Sequence, residues 1–384
     1  MNFKKLGTAL FAGLLLASPL ATVSAQDTVK VGGNFELSGA AAAYGTPMAS
    51  GLKLAVKQYN EEHGGVNGKK VEAQVEDNKS DKTEAAAAAT KLVAAGVTGI
   101  VGPATTGDAL AEIPVANDGK TPAIFPAATG NGITLDSAGK VYDYIYRVCF
   151  EDSFQGVAAA NYLADTQGYK KVVLLVDQAN DYSQGLADSF VKQFEAKGGT
   201  IVAKESYQTN DTDFLTVLTN ISTQDFDALY VPGYYTEAGL IIKQARELGI
   251  DKPIVGGDGF ANDTLVELAG KDNLNNVFYT SHYSDKSDDP AVKKFVEAYE
   301  KEYGKKPDTF AALAYDATNV LLQAIKDAGS TDPQEVNKAL AKIKDFKGVT
   351  GTFSFDEKHN PVKTAVMLHF EKGEVTEAVN VSAE

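Results

Sequence analysis

From residue 29 onward, short runs of β-branched and aliphatic residues alternate with longer stretches whose apolar positions recur every three to four residues. The first kind fits strands, and the second fits helices that bury one face. The pattern predicts strands at Val29–Phe35, Lys70–Glu76, Gly99–Pro103 and Ala123–Pro126, with helices at Pro47–Glu62 and Lys82–Ala95 among them. His63-Gly64-Gly65 closes the first helix, glycine supplying a left-handed cap. Strands separated by helices in this way make βαβ units and parallel sheets.

After a strand at Tyr144–Val148 the plan restarts. It predicts a helix from Ser153, strands at Lys171–Asp177, Thr200–Tyr207, Ala228–Pro232 and Pro253–Gly256, and helices at Gln184–Ala196 and Glu237–Leu248. From Asp289 the pattern turns helical, over Asp289–Tyr303, Phe310–Ala328 and Pro333–Lys342, before strand-like pieces at Gly351–Phe355 and Thr364–Phe370. No low-complexity linker divides the halves, so a few short crossings are expected to join them. The late helices are expected to return over the first lobe. The expected division is a leader at 1–25, lobe one at 26–147 plus 280–352, and lobe two at 148–279 plus 353–384.

The first 25 residues follow another rule. Lys4 and Lys5 precede an apolar run from Leu6 to Leu16, Pro19 breaks it, and Val23-Ser24-Ala25 has the small residues that a signal peptidase needs. The run is shorter than the roughly 20 residues of a membrane span. No cysteine stands at the cleavage point, so a soluble exported product beginning near Gln26 is expected.

Without the two leader lysines the chain carries 34 basic and 51 acidic residues, a net charge of −17. Such a surface repels nucleic acid and anionic lipid, so neither is an expected partner. Cys149 is the single cysteine, and no internal disulfide can form. The four histidines lack metal-ligand spacing, and no Walker, G-x-S-x-G or dinucleotide fingerprint occurs. The chain is therefore read as a non-enzyme with no cofactor.

Ligands of open α/β sheets bind beyond the carboxyl ends of the strands. Those positions hold Glu36-Leu37-Ser38-Gly39 with Tyr44, Ala104-Thr105-Thr106-Gly107 and Ala127-Ala128-Thr129 in the first half. The second half offers Asn180-Asp181-Tyr182, Gly233-Tyr234-Tyr235 and Asp258-Gly259-Phe260. Hydroxyls and helix-start N–H groups suit a carboxylate. Asp258 suits an ammonium, with the Ala127 carbonyl and the Thr129 hydroxyl beside it. Plainer readings stand alongside: Thr106 and Thr129 as helix N-caps, Asp258 as an Asx turn.

The mature chain resembles the periplasmic branched-chain amino-acid-binding proteins, the type I solute receptors of ABC importers. The resemblance runs along nearly all of it, through Leu37-Ser38-Gly39, Tyr44-Gly45, Gly64-Gly65-Val66-Asn67-Gly68, Val101-Gly102-Pro103, Pro126-Ala127-Ala128-Thr129, Asp181-Tyr182, Gly233-Tyr234 and Gly257-Asp258-Gly259. It implies an α/β fold of two Rossmann-like lobes with parallel central sheets, joined by short hinge crossings. It implies that Thr106 and Thr129 grip a ligand carboxylate, and that Ala127, Thr129 and Asp258 meet its ammonium. Tyr44, Tyr182 and Tyr234 would face the ligand. Many members carry serine at the position of Thr106 and glutamate at that of Asp258, and the family's paired cysteines are missing, so Cys149 is expected to be a buried thiol.

A monomer that captures a small aliphatic amino acid by hinge closure and delivers it to a membrane permease is the expectation. Alanine, threonine, phenylalanine or an amide remain open as ligands. A sensor domain of the same fold and an exported enzyme are the rival classes; the chain shows neither a membrane segment after the leader nor an activated nucleophile in sequence.

Overall fold

A computed structural model of the chain describes residues 28–383, so the expected leader lies outside the described residues. Strands β1 (Val29–Phe35), β2 (Val71–Asp77), β3 (Gly99–Val101), β4 (Ala123–Phe125) and β5 (Ile145–Arg147) form a parallel sheet in the order β2-β1-β3-β4-β5. Helices α1 (Ala42–His63), α2 (Lys82–Ala94) and α3 (Thr106–Asp118) make the crossovers. Asp81 caps α2 by accepting from the N–H groups of Thr83 and Glu84, and Gly64 ends α1 at φ 68°.

Helix α4 (Asp152–Asn161) opens the second unit. It continues through β6 (Lys171–Asp177), α5 (Asp181–Ala196), β7 (Thr200–Tyr207), α6 (Leu215–Ser222) and β8 (Ala228–Val231). Next come α7 (Tyr235–Glu247), β9 (Ile254–Gly256), α8 (Asp263–Ala269) and β10 (Val277–Ser281). Strand β6 is buried at every position after Lys171, as a parallel strand covered on both faces should be.

Three helices follow, α9 (Pro290–Tyr303), α10 (Thr309–Ala328) and α11 (Pro333–Leu340), then a hairpin of β11 (Phe346–Gly348) and β12 (Gly351–Phe353). Helix α10 packs against α1 so closely that a Cβ on Gly51 would lie 2.2 Å from the carbonyl oxygen of Ala311. Leu313 and Leu321 join Val31, Leu52 and Ile124 in one core, so the late helices do cover the first sheet. Strands β13 (Ala365–Glu371) and β14 (Glu374–Val381) instead extend the second sheet antiparallel beyond β10, giving the order β14-β13-β10-β9-β8-β6-β7.

The chain thus passes between the sheets at about 148–151, 282–289 and 354–364. Two of these crossings are tied together. Lys363 Nζ donates to the carbonyl of Val148 at 2.9 Å, and the buried Arg147 donates through Nε to Asn360 Oδ1 at 2.7 Å.

Several elements differ from the sequence reading. Helix α1 begins at Ala42, a turn ahead of Pro47, while α3, α6, α8, β10 and β14 had no counterpart in it. Cys149 is a buried free thiol, as the resemblance implied.

Candidate functional site

Both sheets share one topological feature. In the first, the chain leaves β1 for β2 on one side and then crosses to β3 on the other; in the second, β6 is flanked by β7 and β8 in the same way. Such switch points leave a crevice at the carboxyl ends of the strands. The two crevices face each other.

Between them lies a cavity walled by Tyr44, Ala104, Thr105, Ala127 and Phe310 on the first sheet's side and by Tyr182, Tyr234, Asp258 and Gly259 on the second's. It contains about 230 Å³ of empty space, of which about 10 Å³ is open to the centre of a water, room for a single one. Direct contacts close it. The Tyr44 hydroxyl donates to the carbonyl of Gly259 at 2.7 Å and accepts from the N–H of Tyr235 at 3.2 Å. The Tyr44 ring meets Tyr234 edge-on at 5.3 Å, and Tyr234 stacks on Tyr182 at 5.1 Å.

On the first side, Gly102 at φ 105° brings the loop so near β1 that a Cβ there would lie 2.0 Å from the Asn34 carbonyl oxygen. The loop then delivers Ala104 and Thr105 to the buried carboxyl of Glu36, which accepts from both backbone N–H groups at 3.0 to 3.2 Å. Burial, followed by the charge of the neighbouring Asp108, pushes the Glu36 carboxyl up to about 8. Thr105 caps α3 by accepting from the N–H of Asp108 at 3.3 Å. The first-turn N–H groups of Thr106 and Gly107 have no intrahelical acceptor, as at any helix start.

On the second side, Asp258 is the centre of a hydrogen-bonded cluster. Its Oδ1 accepts from the Tyr182 hydroxyl at 2.8 Å and from Gln155 Nε2 at 3.0 Å, and its Oδ2 lies 3.2 Å from His282 Nε2. Burial lowers the His282 pKa against the opposing pull of Asp258, favouring a neutral ring that donates through Nε2. That leaves Nδ1 an acceptor without a partner, while the ring stacks on Phe150 at 3.5 Å. Gln155 Nε2 also reaches Asp152 Oδ1 at 2.8 Å, and its Oε1 accepts from the Thr280 hydroxyl at 2.7 Å. Burial, then the charge of Asp258, pushes the Asp152 carboxyl up to about 7.

The structure places Tyr44, Ala127, Tyr182, Tyr234 and Asp258 on the cavity wall. Thr106 and Thr129 stand behind it. Thr106 Oγ1 accepts from the N–H of Gly130 at 3.1 Å, fastening the start of α3 to the 126–130 loop. Thr129 Oγ1 is buried beside the Asp152 carboxyl without a bond of hydrogen-bonding geometry, although the Thr129 carbonyl accepts from the N–H of Asp152 at 2.8 Å. The sequence reading did not single out Gln155, His282 or Phe310. His282 directly follows β10, so drawing that strand would have brought it onto the strand-end roster.

Comparison with known proteins adds to this geometry. The profile of the periplasmic binding protein family matches residues 28–374. A Leu/Ile/Val-binding protein homolog of Brucella abortus is 32% identical over 366 residues, 95% of this chain and 96% of that protein. The leucine-, isoleucine-, valine-, threonine-, and alanine-binding protein of Pseudomonas aeruginosa is 29% identical over 349 residues, 91% of each. Among solved structures, the branched-chain amino acid transporter substrate binding protein of Streptococcus pneumoniae, in complex with isoleucine, superposes with a TM-score of 0.88 at 44% identity. That match covers 93% of this chain and all of the other. A leucine binding protein of Thermotoga maritima gives 0.85 at 34%, covering 91% and 98%. The chain belongs to the periplasmic binding protein family and has the type I α/β architecture of those structures.

Proposed function

From that membership we propose that the chain is an extracytoplasmic receptor that captures a branched-chain amino acid between two hinged lobes and delivers it to the permease of an ABC importer. It acts as a monomer and releases its solute unchanged. Lobe one comprises 28–147 plus 282–353, and lobe two 148–281 plus 354–383, which keeps β10 and the β11–β12 hairpin whole.

The observation that carries the reading is that, among the described residues, Asp258 is the one acid or base lining the cavity, on the wall opposite the start of α3. A zwitterion fits that arrangement, its ammonium toward Asp258 and the Ala127 carbonyl and its carboxylate toward the first turn of α3, where Thr106 and Gly107 have free N–H groups. The hydroxyls of Thr106 and Thr129 complete the grip. Tyr44, Tyr182, Tyr234 and Phe310 leave an apolar slot for an aliphatic side chain. Relatives at 32% and 29% identity are named for leucine, isoleucine and valine, which favours that side-chain class.

Because the closed cavity has room for one water centre, an amino acid enters only when its walls part. The contacts of Tyr44 with Gly259 and Tyr235 then form on closure, so the ligand shifts the balance toward the closed form. A thermal-shift and calorimetric screen of the twenty amino acids tests the reading. Leucine, isoleucine and valine should raise the melting temperature, by the equivalent of about 2.7 kcal/mol at a hundred times Kd. No response to any amino acid would refute it, and a response to alanine or phenylalanine alone would reassign the ligand.

A further inference from the structure

A second, roomier cavity lies beside the crossing at 282–289, and nothing in the proposed function uses it. On the same measure that gives the ligand cavity room for one water centre, about 370 Å³ here is open, within the usual size of small-molecule sites. Its wall draws on both lobes: Asp308 and Thr309 at the start of α10, Asn262 and Asp263 at the start of α8, and Tyr283 in the crossing itself.

Its chemistry is lopsided. Four acids line it, Asp263, Asp285, Asp308 and Glu374, against Lys286 and Lys306. Lys306 pairs with Asp285 at 3.2 Å, and Lys286 donates to the carbonyl of Val375. Among the described residues, Asp263, Asp308 and Glu374 therefore have no ion-pair partner. Burial, with Asp263 adding its charge, holds the Asp308 carboxyl up at about 7 against the opposing pull of the Ala311 N–H and the charge of Lys305, which lies too far off to form an ion pair. Three polar atoms in wall residues, Asn262 Nδ2, Tyr283 Oη and Thr309 Oγ1, are buried without hydrogen-bond partners, although buried polar groups ordinarily have one. The rings of Tyr279, Tyr283 and Phe370 complete the wall.

We infer that this cavity is a second ligand site, for a small organic cation of the primary-ammonium class. Unpaired acids supply the counter-charge, and aromatic faces attract a cation further. A metal ion fits less well, because among the described residues no three acids, histidines or cysteines converge as ligands. The occupant bridges Asp263 on one lobe and Asp308 on the other, so its binding is coupled to closure over the amino acid. That coupling rests on the proposed function; the site does not.

The test is titration of the full mature chain with n-butylammonium chloride, with n-butanol as the uncharged control, read by thermal shift and calorimetry. The amine should raise the melting temperature and tighten leucine binding by roughly threefold or more at saturation; butanol should do neither. Asp308→Asn keeps the cap bond from the Ala311 N–H, Asp263→Asn leaves the Asn262 cap of α8 in place, and each should weaken the amine by about tenfold or more. Leucine affinity without amine should stay within about twofold in both variants, as for separate sites. Three results would overturn the inference: a thermal response no larger than that to butanol, competition between amine and leucine, or unweakened amine binding in the double variant. Amine binding without any effect on leucine would overturn the bridging between lobes. If leucine itself does not bind, the thermal response to the amine still decides the site.

Discussion

Two buried acids, Glu36 and Asp258, stand just past the ends of β1 and β9, one on each side of the cavity, and their surroundings give them opposite work. Asp258 is met by donors from Tyr182, Gln155 and His282 and lies on the wall. Glu36 accepts two backbone N–H groups, faces another acid in Asp108, and is held up near 8. Glu36 is thus a neutral strut that fixes the Ala104–Thr105 loop, whereas Asp258 lines the cavity in which the ligand is proposed to sit. Position relative to the strand does not decide what an acid does; each has an acidic neighbour, Asp108 or Asp152, and the difference lies in the donors, backbone N–H groups for Glu36 and side chains for Asp258.

The sharpest way to break this contrast is to delete each acid. Removing one member of a buried charged pair costs about 2 to 5 kcal/mol, so Asp258→Ala should weaken leucine binding roughly thirty- to several-thousand-fold by calorimetry. Unchanged affinity would remove Asp258 from its role. Glu36→Gln, which copies the protonated acid, should leave affinity nearly intact and act on stability instead. A carboxyl raised from 4.5 to about 8 in the folded state keeps its proton there while the unfolded chain has lost it. Its contribution is complete below 4.5 and disappears as the pH climbs through 8. The melting temperature of Glu36→Gln relative to the parent should therefore rise between those limits, at about 2 to 4 °C per kcal/mol for domains of this size. Asp152, held up at about 7, adds a fall of the same sign in both proteins. A constant difference across the window would mean that Glu36 is not held neutral.

The two threonines behind the wall sharpen the contrast on a smaller scale. Thr106→Val unpairs the N–H of Gly130 and should cost about 1 to 3 kcal/mol of stability with no ligand present. Thr129→Val removes an oxygen that has no partner, so the empty protein should be unaffected or slightly steadier. If the Thr129 hydroxyl turns to the ligand on binding, the loss appears only in affinity, at about 1.5 to 3 kcal/mol for a bond to a charged group. Equal stability losses in both variants would erase the distinction.

Much of this arrangement was legible beforehand, and the exceptions have physical causes. Strands β1, β6 and β7 run over the very residues that the pattern predicts, because β-branched runs bounded by turn residues leave little choice of limits. Helix α3 was hidden by Pro114 within it and by the two threonines at its start, which read as loop. Strand β14 is an edge strand with glutamates at 374 and 377 and little burial, so it carries no apolar signature. The cavity wall was visible where a residue closely follows a strand that the pattern predicts, and His282 was missed because β10 before it was not predicted. Gln155 was invisible because it reaches Asp258 from the first turns of α4, and no sequence pattern reports where a helix points its amide. Phe310 escaped notice because α10 returns to the first lobe from a distant part of the chain.

At the mouth of the cavity the comparison reduces to two kinds of contact that span the lobes. The Tyr235 hydroxyl donates to the carbonyl of Ala40 at 2.8 Å and accepts from the N–H of Ala43 at 3.2 Å. Lys82 Nζ bonds Asp181 at 2.7 Å, with side chains 60% and 41% exposed. Tyr235→Phe should loosen the closed form by about 0.5 to 1.5 kcal/mol for each bond lost, and salt should not alter that. Asp181→Asn should do less, because an exposed ion pair contributes at most about 1 kcal/mol. Its signature is the salt dependence. Charges at the surface are screened over about 8 Å at physiological ionic strength, so added salt should speed leucine dissociation from the parent up to severalfold and leave Asp181→Asn unmoved. Stopped-flow dissociation at low and high salt reads this directly. An equal response in both proteins would mean that the pair does not hold the lobes together, and that uncharged contacts such as those of Tyr235 and Tyr44 carry the closure.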